Sequence, residues 1–124
     1  MLKMQFHAIM PVLKVADFER SIRFYQEVLG FAVDWRARDD TGETALLALG
    51  RTAIMLSTGQ HLGEDKPGFT GALYFDMTGV RQFWELVHDK APVVWPLEEI
   101  EYGTLEFGVR DPDGYTIAFS EQLS

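Results

Sequence analysis

Apolar residues along this chain recur with two different periods, and the periods alternate in the same order twice. Residues 8–15 are apolar apart from Lys14 and read as a strand, with Pro11 marking an edge position or a bulge. Asp17 stands where a helix N-cap is needed, its short carboxylate able to accept from the free N–H groups of a first turn. Phe18, Ile22, Tyr25 and Leu29 recur at helical spacing and predict one buried stripe, which Gly30 ends. Three β-like runs follow, at 31–38, 44–49 and 52–57, divided by Asp39-Asp40-Thr41-Gly42 and by Gly50-Arg51. Both dividers are hairpin-turn sequences.

The second half repeats that order. Residues 71–77 read as a strand, and Val80, Phe83, Trp84 and Val87 form an i, i+3, i+4, i+7 stripe for a second helix with Trp84 in its core face. Three more runs follow at 93–95, 103–109 and 115–120. The last two are joined across Asp111-Pro112-Asp113-Gly114, where proline presets φ and glycine takes the left-handed position. The stretch 95–102 reads as irregular, a mobile rim beside any cleft. The pattern predicts an α+β fold of two tandem βαβββ modules, a curved mixed sheet around a cleft with helices on the outer face. Module one spans about 5–58, a Gly- and charge-rich linker about 59–69, and module two about 70–121, all within a single domain over 1–124. The repeat is one of order and pattern, with poor residue identity between the halves.

Composition narrows the chemistry. With 124 residues, 47% of them hydrophobic, the chain is long enough for one packed domain and too short for two. It has no cysteine, which removes disulfides, thiolate metal sites and a cysteine nucleophile. Nothing in residues 1–10 resembles a signal peptide, and no segment has the length of a membrane span, so the cytoplasm is the expected home. The net charge of −8 is uneven: residues 1–62 hold seven Lys/Arg against seven Asp/Glu, and residues 63–124 hold four against twelve. An acidic second half repels nucleic acid and anionic lipid, and favours cationic ligands or simple solubility. His7, His61 and His88 share no spacing that suggests a catalytic or metal site.

Several local sequences, taken in order, resemble a known family. Val15-Ala16-Asp17, Ser21, Phe24-Tyr25 and Leu29-Gly30-Phe31 look like the first-module signature of the vicinal-oxygen-chelate superfamily, and the run from Phe107 to Phe119 resembles its closing hairpin. That superfamily holds glyoxalase I, extradiol dioxygenases, fosfomycin-resistance enzymes and bleomycin-resistance proteins. The resemblance implies a divalent metal held by His, Glu or Gln from four strands in the glyoxalase-like members. Carried over one position at a time, those places fall on Met10, Met55, Ala72 and Ala118. Alanine offers no donor and a thioether is too soft for such an ion, so the resemblance implies a member without the metal.

Strand side chains alternate faces, so if Ala72 points into the cleft then Tyr74 and Asp76 do too, with Thr116 and Ser120 beside Ala118, Ala53 and Ser57 beside Met55, and Val12 beside Met10. Glu106 and Gly108 fall on the same side, leaving Leu105, Phe107 and Val109 for the core. The expected ligand-binding set is therefore Tyr74, Asp76, Glu106, Trp35, Trp95, Tyr102, Met10, Met55, Ala72 and Ala118, with no catalytic residue, no metal and no cofactor. An aromatic ring beside carboxylates suits a cation. The expected function is that of a metal-free protein, similar to the bleomycin-resistance proteins, which sequesters a planar or cationic small molecule such as an antibiotic and works as a homodimer. Nucleic acid and membrane are not expected partners. The alternative is a metal-independent isomerase or lyase of the same fold with Glu106 or Asp76 as base. A third reading is a subunit kept for protein interaction.

Overall fold

A computed structural model of the chain describes residues 4–5, 7–63, 66–101 and 103–123. Eight strands and two helices appear in the order β1 (Val12–Lys14), α1 (Phe18–Arg23), β2 (Ala32–Asp39), β3 (Gly42–Leu49), β4 (Thr52–Ser57), β5 (Ala72–Asp76), α2 (Val80–Val87), β6 (Val93–Ile100), β7 (Thr104–Arg110) and β8 (Thr116–Gln122). A π-helical turn, Phe24–Val28, continues α1, and a short 3₁₀ turn, Gln60–Leu62, lies between β4 and β5. The two halves share one topology. The strands resolve into two four-stranded sheets, β1-β4-β3-β2 and β5-β8-β7-β6, each with one parallel pair (β1 with β4, β5 with β8) and two antiparallel pairs. Among the described residues no helix is long and apolar enough to cross a membrane.

Local chemistry accounts for the helix ends. Asp17 caps α1 by accepting from Arg20 N at 3.1 Å. Phe18, Ile22, Tyr25 and Leu29 are all buried in the core, as their spacing predicts. Pro11 precedes the edge strand β1, where its missing N–H costs no ladder bond, and its carbonyl accepts from Met55 N at 2.9 Å. The helix α2 lacks a side-chain cap of its own and takes one from β8 instead: Glu121 Oε1 accepts from Gly79 N and Val80 N at 2.9 and 3.0 Å. Trp84 packs edge-on against Phe107 at the border of the core, as its place in the stripe predicts.

The expected irregular stretch after Trp95 is a correction. Residues Val93–Ile100 form one strand, interrupted by register shifts on both sides of Trp95. Pro96 is tolerated there because β6 is the edge of its sheet. Tyr102 lies outside the described residues.

The halves share a core through Phe31 and Phe75, whose rings meet edge to face at 5.8 Å. The turn between β7 and β8 completes the joint by reaching across to α1. Asp113 accepts from Ala16 N and from Ser21 Oγ, both at 3.0 Å, and Asp111 accepts from Tyr25 Oη at 2.8 Å. Tyr115 Oη donates to Lys14 O at 2.7 Å.

Candidate functional site

The ladder of the second sheet gathers the expected cleft residues into rungs. Tyr74 pairs with Ala118, Ala118 with Gly108, and Gly108 with Trp95, so these four form one rung across all four strands. The next rung is Asp76, Ser120, Glu106 and Glu98. Both lie on the face opposite the core residues Phe75, Leu105, Phe107, Val109, Ile117 and Phe119. Glu98 is absent from the expected set because simple alternation from Trp95 puts Leu97 on this face. The register shift between Trp95 and Glu98 moves the carboxylate there instead.

Side-chain size shapes the first rung. Tyr74 and Trp95 start on strands at the two edges of the sheet, yet their rings approach to 6.3 Å between centroids, tilted by 33°. They meet because the residues between them, Ala118 and Gly108, are small. A Cβ added to Gly108 would stand 2.8–2.9 Å from three atoms of the Trp95 ring, so only glycine allows the indole to lie on the backbone there. The rings cover what simple alternation predicts to be open floor: Ala118 is fully buried. Tyr74 is 54% exposed on its outer side and Trp95 is half-buried.

Charge sits directly beside these rings. Glu106 is only 3% exposed, and its carboxylate accepts from Tyr74 Oη at 3.2 Å and from Thr104 Oγ1 at 3.5 Å. Asp76 and Glu98 are exposed. Three carboxylates next to an aromatic slot make a negative field with ring faces at its border, an arrangement that attracts organic cations.

The first sheet builds the corresponding rung from Val12, Met55, Leu46 and Trp35. Trp35 is thus the counterpart of Trp95, and both follow a register shift just after a valine, Val33 and Val93. Ser57 and Ser120 coincide in the same way one rung further on. Residue identity between the halves, poor over most of the chain, survives at these places. The repeated Val-x-Trp at 33–35 and 93–95 was the legible signal for it. Trp35 is 42% exposed and does not share the Tyr74 slot.

The four positions that correspond to metal ligands are distributed differently. Met10, 43% exposed, and Ala72 line one cavity of about 480 Å³ between the modules, together with Ala53, Tyr74 and Asp76. Met55 and Ala118 lie on the central rungs of their own sheets and do not line it. Two thioethers and two methyl groups make a donor set that does not fit a hard divalent ion. No three His, Asp or Glu side chains among the described residues stand close enough to hold one by another route. His88 stacks on Trp84 at 5.0 Å.

Comparison with known proteins agrees with this architecture. A family model described as "Glyoxalase superfamily protein" matches residues 1–124. The uncharacterized protein YraH of Bacillus subtilis is 26% identical over 125 residues, covering 90% of this chain and 94% of its own. A crystal structure of a protein of unknown function from Agrobacterium tumefaciens superposes with a TM-score of 0.76 at 26% identity, covering 99% of this chain and 98% of that one. TnmS3, an antibiotic binding protein from Streptomyces sp. CB03234, superposes with a TM-score of 0.82 over 98% of this chain and 99% of its own. At 18% identity that likeness is one of fold.

Proposed function

This chain belongs to the glyoxalase superfamily, and from that starting point we propose that it captures a flat, positively charged small molecule, such as an antibiotic, without transforming it. The observation that carries this reading is the pair of neighbouring rungs in the second sheet. Tyr74 and Trp95 offer ring faces over a floor of Ala118 and Gly108, and Asp76, Glu106 and Glu98 stand one rung away. Stacking a flat cation on aromatic rings beside one buried and two exposed carboxylates supplies affinity and needs no reacting group. Met10 and Ala72 provide apolar contact in the neighbouring cavity in place of metal ligation. That TnmS3, similar in fold, is an antibiotic binding protein supports the same reading. We propose the cytoplasm as the protein's place of action and a homodimer as its working form.

The test is a fluorescence titration of chelator-treated protein with 9-aminoacridine, a flat cation. Saturable quenching at micromolar concentration is expected. Replacing Glu106 by Gln is expected to weaken it about tenfold, and Tyr74→Ala by a similar factor, in keeping with about 1–2 kcal/mol for a partly desolvated cation–ring contact. Quenching that neither variant changes would place binding elsewhere and refute the site.

One observation favours a second reading. Glu106 is a buried carboxylate whose partner is a phenol, a combination that also serves proton transfer. Turnover of a carbonyl substrate by metal-stripped protein, lost in Glu106→Gln, would establish an enzyme instead.

A further inference from the structure

The indole of Trp95 is held in an awkward place. Its Nε1–H is buried without a hydrogen-bond partner, alone in this among the buried side-chain nitrogen and oxygen atoms of the described residues. A desolvated, unpaired donor is costly to keep, and any arrangement that pairs it recovers that cost. The ring rests on Gly108, the one residue type that admits it. The backbone on both sides of Trp95 leaves the regular ladder, and such strand irregularities bend the strand and re-aim its side chain.

The first sheet supplies an internal comparison. Trp35 occupies the corresponding rung after the same kind of register shift, but its strand neighbour is Leu46, not glycine. Its indole is 42% exposed, and its N–H is not among the buried unpaired groups. The collapsed position of Trp95 therefore follows from Gly108, not from the strand.

The slot is also slightly too narrow as it stands. A flat ring between two aromatic walls needs two contacts of about 3.5 Å each, about 7 Å in all, between nearly parallel faces. Tyr74 and Trp95 stand 6.3 Å apart and 33° from parallel. Tyr74 is tethered through its hydroxyl to Glu106, which makes it the fixed wall.

We propose that Trp95 is a retractable cover over the Gly108–Ala118 floor, which swings aside to admit a flat ligand against Tyr74 and then, standing at the ligand's edge, donates its in-plane indole N–H to an oxygen there. The ligand class narrows accordingly to a planar cation carrying a carbonyl or comparable acceptor at its edge. The ligand half of this inference rests on the binding reading above, whereas the lifting of the indole is a property of the protein alone and is tested without ligand.

The experiment follows the three indole N–H signals by NMR, with Trp95 assigned from its disappearance in Trp95→Phe. In the free wild-type protein, hydrogen exchange at Trp95 is expected to be at least tenfold slower than at Trp35. It is also expected to be insensitive to low urea, the mark of a local opening. Exchange that accelerates with urea as steeply as the core amides would show a fixed core group and overturn the cover. Gly108→Ala is expected to bring Trp95 exchange to within about threefold of Trp35 in a protein that still folds. Retained protection there would overturn it equally, and should that variant fail to fold, the urea dependence of the wild type decides.

9-Aminoacridine-4-carboxamide, a flat cation bearing a carbonyl, then tests the donor role beside proflavine, a flat cation without oxygen. The carboxamide is expected to move the Trp95 signal downfield. Binding without that shift, or binding of proflavine alone, would refute the donation. Failure of both dyes to bind would refute the ligand half together with the binding reading, while the exchange data would still judge the cover.

Discussion

Buried polar residues decide more here than their number suggests. Tyr25 and Asp111 come from different halves of the chain and meet in the core, with Tyr25 Oη donating to Asp111 Oδ2. Burial, reinforced by the neighbouring carboxylate, pushes the Tyr25 hydroxyl far above the ordinary phenol range, so it remains a donor. Burial likewise raises Asp111 above the usual carboxylate range, against the pull of hydrogen bonds from Tyr25, Tyr115 and Asp113. Folding thus favours the protonated form of Asp111. Stability from this group is complete below its unfolded pKa of about 3.9 and is lost as pH rises through the higher folded value. Asp111→Asn keeps the shape and removes the titration. Urea unfolding of both proteins is expected to show the wild type gaining on the variant between pH 7 and pH 4. A difference that stays constant, or moves the other way, would contradict the burial account.

At the scale of elements, each helix is secured by a carboxylate from somewhere other than its own first turn. For α2 that carboxylate is Glu121 on β8. For α1 the local cap Asp17 is joined by Asp113, reaching from the turn between β7 and β8 to Ala16 N and Ser21 Oγ. Asp17→Ala should cost about 1 kcal/mol, the ordinary loss of a cap. Asp113→Ala leaves two donors unsatisfied at the joint between modules and should cost about 2 kcal/mol. Denaturant titration orders the two, and a smaller loss for Asp113→Ala would mean that the turn merely touches α1. The Asp-Pro-Asp-Gly sequence was legible as a turn. Its role as a clamp was not, because its partners lie about ninety residues away.

For the whole molecule, the apolar surface left open is the informative quantity. Ile9 is 87% exposed, and Met10 and Val12 are 43% and 37% exposed, all in or just before the edge strand β1. Exposed apolar side chains grouped along one edge strand suit contact with a second copy of the chain. Analytical ultracentrifugation is expected to give twice the chain mass at micromolar concentration, and Ile9→Glu with Val12→Glu is expected to return it to one. A wild type that stays monomeric at all concentrations would remove the homodimer.

The sequence by itself determined the order of strands and helices, the duplicated module and the helix-facing residues, because each follows from local periodicity and capping chemistry. Alternation also placed Tyr74, Asp76, Glu106 and Ala118 on one face, since a strand's side chains reverse at every residue. Tertiary structure alone decided which of them meet. Interruptions in the ladder brought Glu98 beside Glu106 and Trp95 opposite Gly108, and a register shift is set by cross-strand pairing that no single strand encodes. It also decided that the expected floor is covered, because whether a ring lies down or stands up depends on the size of the residue paired with it on the neighbouring strand.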